Sequence, residues 1–155
     1  MDTRWWYTCT IRFQPDLTTL GWHKEDLMAE SRKMIVCIED EPEMIDLIRL
    51  ILRRASYDFV GALGGVEGLE AVRNHKPDLV LLDLMMPDVD GWEVYRQMKA
   101  DDALKDTPVI VITAKAQSID RVLGLHIAKV DDYITKPFGP QELLDSVAAI
   151  LGAGS

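Results

Sequence analysis

The chain is short of several things that whole classes of protein depend on. Two cysteines, Cys9 and Cys37, cannot build a disulfide framework, and with only three scattered histidines they make no zinc cage. No run approaches the roughly 18 apolar residues of a membrane span, which argues against membrane insertion. Basic charge is in deficit: 17 Lys and Arg against 26 Asp and Glu give a net charge of −9. Such a field repels phosphate, so direct nucleic-acid binding by this chain is not expected. Aromatics make up only 7%, and three of the four tryptophans fall in the first thirty residues. Those residues do not read as a leader, because Trp5, Trp6 and Tyr7 give way at once to polar side chains. Repeats and low-complexity tracts are also missing. What is left, 48% apolar and 28% charged, has the balance of one globular domain with a cytoplasmic location.

From Met34 onward a regular alternation sets in. Met34 to Ile38 is an apolar run of strand length, and Pro42 then suits the first turn of a helix whose apolar residues recur to Ala55. Further strands are expected over 57–61, 78–83, 108–112 and 132–135, and helices over 66–74, 92–100, 118–125 and 140–151. The runs at 34–38, 79–82 and 109–112 are apolar throughout rather than alternating, as in parallel strands covered on both faces. Strand and helix in turn imply right-handed βαβ units. The expected fold is α/β, a doubly wound five-stranded parallel sheet of order 2-1-3-4-5, flavodoxin-like, in three αβα layers. Residues 31–151 form that domain, 1–30 an extension and 152–155 a tail.

Polar residues collect where the apolar runs stop. Glu39 and Asp40 end the first strand, Asp83 the third, Thr113 the fourth and Lys136 the fifth. In an open parallel sheet these carboxyl ends share one edge, where ligands bind at the reversal of strand order. Three carboxylates there repel by about 3 kcal/mol per pair at 5 Å and an effective dielectric near 20. The crevice either protonates in part or holds a cation, and all-oxygen donors favour a hard ion such as Mg²⁺, with Mn²⁺ as a substitute. Thr113 offers a hydroxyl and Lys136 a positive charge, a setting for a small anion such as a phosphoryl group. Asp83 is then a candidate nucleophile forming an acyl phosphate.

Four segments make the pattern specific: Ile38-Glu39-Asp40-Glu41-Pro42, Leu82-Asp83-Leu84-Met85-Met86-Pro87-Asp88, Ile112-Thr113-Ala114-Lys115, and Asp132-Tyr133-Ile134-Thr135-Lys136-Pro137-Phe138. In order and at matching strand ends, they resemble the receiver (CheY-like) domains of two-component response regulators over about residues 32–151. The resemblance implies that Asp83 is the phosphoacceptor and Asp40 a direct Mg²⁺ ligand, supported by Glu39 and completed by the Met85 backbone carbonyl. It implies that Thr113 and Lys136 bind the phosphoryl group, that Thr113 and Tyr133 are the switch pair, and that the Lys136–Pro137 bond is cis. Met85 and Lys115 occupy the positions that tune phosphoryl lifetime. The implied donor is a sensor histidine kinase or phosphotransfer protein. The implied output is a protein partner reading the face of the 118–125 helix, the fifth strand and the closing helix.

Each residue taken singly has a plainer reading. The 39–41 run is a solvated acidic turn opening a helix, Thr113 a turn hydroxyl, Lys136 a surface lysine and Tyr133 a half-buried strand aromatic. Trp92 reads as a helix anchor and Cys37 as a small buried thiol. Two rival functions stay open: a metal-dependent phosphohydrolase, which would want an acid where Met85 stands, and a pseudo-receiver, which would want Asp83 or Lys136 lost. The segment 126–130 departs from the family's shorter turn, and an extra residue there would alter the junction of the 118–125 helix and the fifth strand. Asp131 and Asp132 resemble acidic positions of some receiver dimers, so a monomer or weak phosphorylation-dependent dimer is expected. Residues 1–27 read as an over-long translation start or a disordered appendage, with a Trp-bearing docking peptide as the alternative. With the chain ending at Ser155, the expectation is a stand-alone switch that is not an enzyme beyond its own phosphorylation and slow dephosphorylation.

Overall fold

A computed structural model describes residues 32–114 and 130–152. The expected 1–30 extension, the 118–125 helix, Lys115, all of the 126–130 segment but Val130, and residues 153–155 lie outside the described residues.

The chain runs β1 (Met34–Glu39), α1 (Pro42–Arg54), β2 (Asp58–Leu63), α2 (Gly65–His75), β3 (Leu79–Asp83), α3 (Gly91–Ala100), β4 (Val109–Thr113), β5 (Asp132–Thr135) and α4 (Pro140–Leu151). The five strands form one sheet in the order β2-β1-β3-β4-β5, every pair parallel. All residues of β3 and β4 are buried, as is β1 beyond Met34, so the unbroken apolar runs do mark strands covered on both faces.

Because strand side chains alternate, each buried strand feeds two cores. Val36, Ile38, Val80, Leu82, Val109 and Val111 pack with Leu69 and Val72 of α2 and with Val94 and Met98 of α3. Ile35, Cys37, Leu79, Leu81, Ile110 and Ile112 pack on the opposite face with Ile48 and Leu52 of α1 and Leu143 and Val147 of α4. The result is the expected three layers. Burial pushes the Cys37 thiol far up, so it behaves as an inert apolar filler.

The helices begin where local chemistry permits. Pro42 and Pro140 occupy first-turn positions, where a missing N–H costs nothing. Asp90 caps α3 by accepting the Trp92 N–H at 2.9 Å, and Trp92 stacks edge-on against Tyr95. The described elements match the expected bounds to within two residues, and the largest shift is at the end of β2. The second strand does not stop at Gly61 but continues to Leu63, pairing Glu39 with Leu63. Glycine suggests a break, yet here α1 lies so close that a Cβ at Gly61 would sit 2.3 Å from Ile45 Cγ2. Asp131 is occupied locally: its Oδ2 accepts the Val109 N–H at 2.8 Å.

Candidate functional site

The carboxyl ends of β1, β3, β4 and β5 bring the polar residues to one edge. Asp83, the last residue of β3, is 3% exposed, and its Oδ1 accepts the Met85 N–H at 3.0 Å. Its neighbour across the sheet is β1, whose last residue, Glu39, is equally buried. Lys136, just past β5, donates from Nζ to Glu39 Oε2 at 2.7 Å and lies 3.6 Å from Asp83 Oδ2. Its own backbone N–H donates to the Thr113 carbonyl at 2.9 Å, which fixes the lysine to the end of β4. Thr113 is fully buried. The Lys136–Pro137 peptide bond is cis.

Glu39, Asp40 and Glu41 each bring a carboxylate oxygen to within 4.8 Å of the others. Glu39 Oε1 accepts the Asp40 N–H at 3.1 Å, whereas Asp40 Oδ1 is buried with no hydrogen-bond partner among the described residues. Glu41 is the residue that sequence reasoning left out. It belongs to the same acidic run, but its position just ahead of Pro42 reads most simply as the start of α1.

Crowding of like charge shows in the proton affinities. Burial, then the Asp83 carboxyl, push Glu39 up to about 8 against the pull of Lys136. At Lys136, burial favours the neutral amine, but the hydrogen bond to Glu39 and the charges of Asp83 and Glu39 outweigh it and raise the group. One ammonium therefore serves several carboxylates. The donors are all oxygen, and a buried carboxylate oxygen lacks a partner. That set fits a hard divalent cation such as Mg²⁺.

Two further predicted residues, Met85 and Tyr133, are exposed. Met85 follows Asp83 with its side chain 47% exposed, at the surface rather than packed into the core. Tyr133 is 48% exposed on β5, opposite Val111, so its ring points outward.

This arrangement, five parallel strands in 2-1-3-4-5 order with an acidic turn, a buried aspartate and a lysine at one edge, defines a receiver-type domain. The chain belongs to the response regulator receiver domain family, which matches residues 35–148. It is 40% identical over 119 residues to the alkaline phosphatase synthesis transcriptional regulatory protein PhoP of Bacillus subtilis (strain 168), covering 77% of this chain and 48% of that protein. It is also 40% identical over 124 residues to the DNA-binding response regulator MtrA of Mycolicibacterium smegmatis, covering 80% of this chain and 53% of that protein. The chain thus spans about half the length of the curated relatives it matches. Among solved structures it is similar to the receiver domain of a sensor histidine kinase from Pseudomonas aeruginosa PAO1, which has a magnesium ion coordinated in its active-site cleft. That likeness is at 27% identity and a TM-score of 0.70, covering 79% of this chain and 99% of that one. It is likewise similar to the receiver domain of a LuxO repressor protein from Vibrio parahaemolyticus, at 28% identity and a TM-score of 0.70, covering 77% of this chain and 90% of that one. No helix among the described residues is long and apolar enough to cross a membrane.

Proposed function

We propose that Asp83 is the phosphoacceptor of a signalling switch, charged from a phosphohistidine on a sensor kinase or phosphotransfer partner. The observation that carries this reading is Lys136 Nζ standing 2.7 Å from Glu39 and 3.6 Å from Asp83, groups from three different strand ends. A buried carboxylate beside a fixed ammonium is held where a transferring phosphoryl group gains most from positive charge.

In the proposed step an Asp83 oxygen attacks phosphorus in line. The new P–O bond forms as the P–N bond breaks, and the electron pair stays on the imidazole nitrogen of the donor. Asp40, Asp83 and the Met85 carbonyl, with Glu39 in support, would hold Mg²⁺, and the coordinated magnesium of the Pseudomonas receiver supports that cofactor. The ion, when bound, neutralises charge on the phosphoryl oxygens. Lys136 then exchanges part of its contact with Glu39 for the phosphoryl group, and the Thr113 hydroxyl donates to a phosphoryl oxygen. Movement of Thr113 makes room for the outward Tyr133 ring to turn in, which shifts the surface of β5 and α4 toward a partner-binding population. Self-phosphorylation and slow self-dephosphorylation are the only chemistry in this proposal, and it is set in the cytoplasm.

Incubation with Mg²⁺ and acetyl phosphate, followed by intact mass, tests the assignment. The expected result is one added phosphoryl group on the parent protein and none on Asp83→Asn. An unmodified parent would instead favour a pseudo-receiver that binds partners without phosphorylation, and steady release of phosphate from esters would favour a phosphohydrolase.

A further inference from the structure

The loop 84–90 between the phosphoacceptor strand and α3 carries a carboxylate that the chemistry above does not use. Asp88 reaches across to α2, where its Oδ2 accepts the Gly65 N–H at 2.9 Å. Gly64, at the N-cap of α2, has no side chain to cap the helix, so a residue 23 positions beyond Gly65 does so instead. The seat fits that carboxylate closely. Gly64 has φ +90°, and a Cβ there would stand 2.5 Å from Asp88 Oδ2. The N–H groups of Val89, Gly65 and Val66 hold the Asp88 carboxyl below its ordinary range.

Gly64 is tied on its other side. The Gly64 N–H donates to the Glu39 carbonyl at 3.0 Å. A continuous path therefore runs from Asp88 through the Gly64–Gly65 backbone to the end of β1, next to Asp40. The loop is also fixed to its own ends, by Met85 N–H to Asp83 Oδ1 and by Gly91 N–H to the Leu84 carbonyl at 3.2 Å. Asp88 adds a tie between the two segments that must face each other across a cation, the acidic turn and the Met85 stretch.

We propose that Asp88 is a positioning residue: by fastening the 84–90 loop to Gly64–Gly65, it sets the distance between the acidic turn at 39–40 and the Met85 carbonyl, and so the affinity of the site for a divalent cation. The proposal rests on the reading of that site as the metal centre, and the experiment keeps the two apart. Mg²⁺ is titrated by calorimetry into the full chain and into Asp88→Ala, Asp88→Asn and Asp40→Asn. Amide exchange of residues 64–65 and 84–90 is followed in metal-free protein.

Losing the tie in Asp88→Ala weakens Mg²⁺ binding about three- to ten-fold and speeds exchange at Gly65 and along the loop. Asp88→Asn, which keeps an acceptor oxygen, restores affinity to within about two-fold. Should Asp88→Ala not fold, Asp88→Ser gives the same readout, because its hydroxyl is too short to span the gap. Parental affinity in the Ala or Ser variant overturns the proposal. So does equal weakening in Ala and Asn, which would mean that remote charge and not the hydrogen bond matters. Unchanged binding in Asp40→Asn sinks the metal-site reading itself, whatever Asp88 does.

Discussion

Gly91→Ala is a one-methyl perturbation aimed from behind at Asp83, the proposed phosphoacceptor. Gly91 opens α3, and a Cβ there would lie 2.3 Å from the Asp83 carbonyl oxygen and 2.6 Å from Leu84 Cα. Both are backbone atoms, so no side-chain rotation relieves the collision. Reaching ordinary contact requires about 1 Å of movement by the end of β3 or by the start of α3. Alanine is worth up to about 1 kcal/mol over glycine inside a helix, against about 1–3 kcal/mol for overpacking. With the full helix gain the net loss is up to about 2 kcal/mol, or a fall in Tm of up to roughly 8 °C. The functional cost is larger, because a misplacement of about 1 Å in a reacting group slows a reaction by up to about 100-fold. The assay is the time course of phosphoryl uptake from acetyl phosphate, read by intact mass, beside thermal unfolding of the same samples. Gly139→Ala is the control, since nothing lies within 4 Å of a Cβ at that position. Uptake by Gly91→Ala at the parental rate would refute the claim that α3 and the Asp83 backbone are in obligatory contact.

Asp40→Asn removes a charge from a crowded acidic turn whose Oδ1 has no hydrogen-bond partner among the described residues. Without Mg²⁺ the variant should unfold a few degrees higher than the parent. With Mg²⁺ at about ten times the parental Kd the order should reverse, because ligand binding adds about 1.4 kcal/mol to the parent alone; differential scanning fluorimetry at both conditions reads this. Glu39 holds its proton more tightly folded, with a pKa up to about 8, than unfolded at 4.5. The folded state therefore binds more protons between those values, and the stability Glu39 contributes is complete below 4.5 and lost as pH rises through about 8. Denaturant titrations of metal-free protein should show that decline and Glu39→Gln should flatten it; a parental profile that rises across this window would contradict the assignment. Met85, whose N–H donates to Asp83 Oδ1, is half-exposed and apolar, and in the proposed switch it would hinder water from attacking the phosphoryl group. Met85→Asn should shorten the phosphoryl lifetime several-fold in a chase by intact mass, and equal lifetimes would end that idea.

Much of this molecule is local information. Unbroken apolar runs at 34–38, 79–82 and 109–112 specify strands buried on both faces, because only a sheet covered by helices removes every such side chain from water. Prolines at 42 and 140 and the Asp90 cap mark helix starts by chemistry that acts within a few residues. Asp83, Thr113 and Lys136 were legible because a polar residue directly after a buried run has one destination in a parallel sheet, its carboxyl edge. The tertiary structure alone decided how those groups share their charges: Lys136 takes Glu39 as its nearest partner, at 2.7 Å, and Asp83 second, at 3.6 Å. It also carried β2 past Gly61, joined Glu41 to the acidic group, and set Asp88 on the glycine pair that begins α2. Periodicity fixes which face a side chain takes. Which of two acids an ammonium reaches, or which backbone N–H a distant carboxylate finds, depends on ångström-scale packing between segments tens of residues apart.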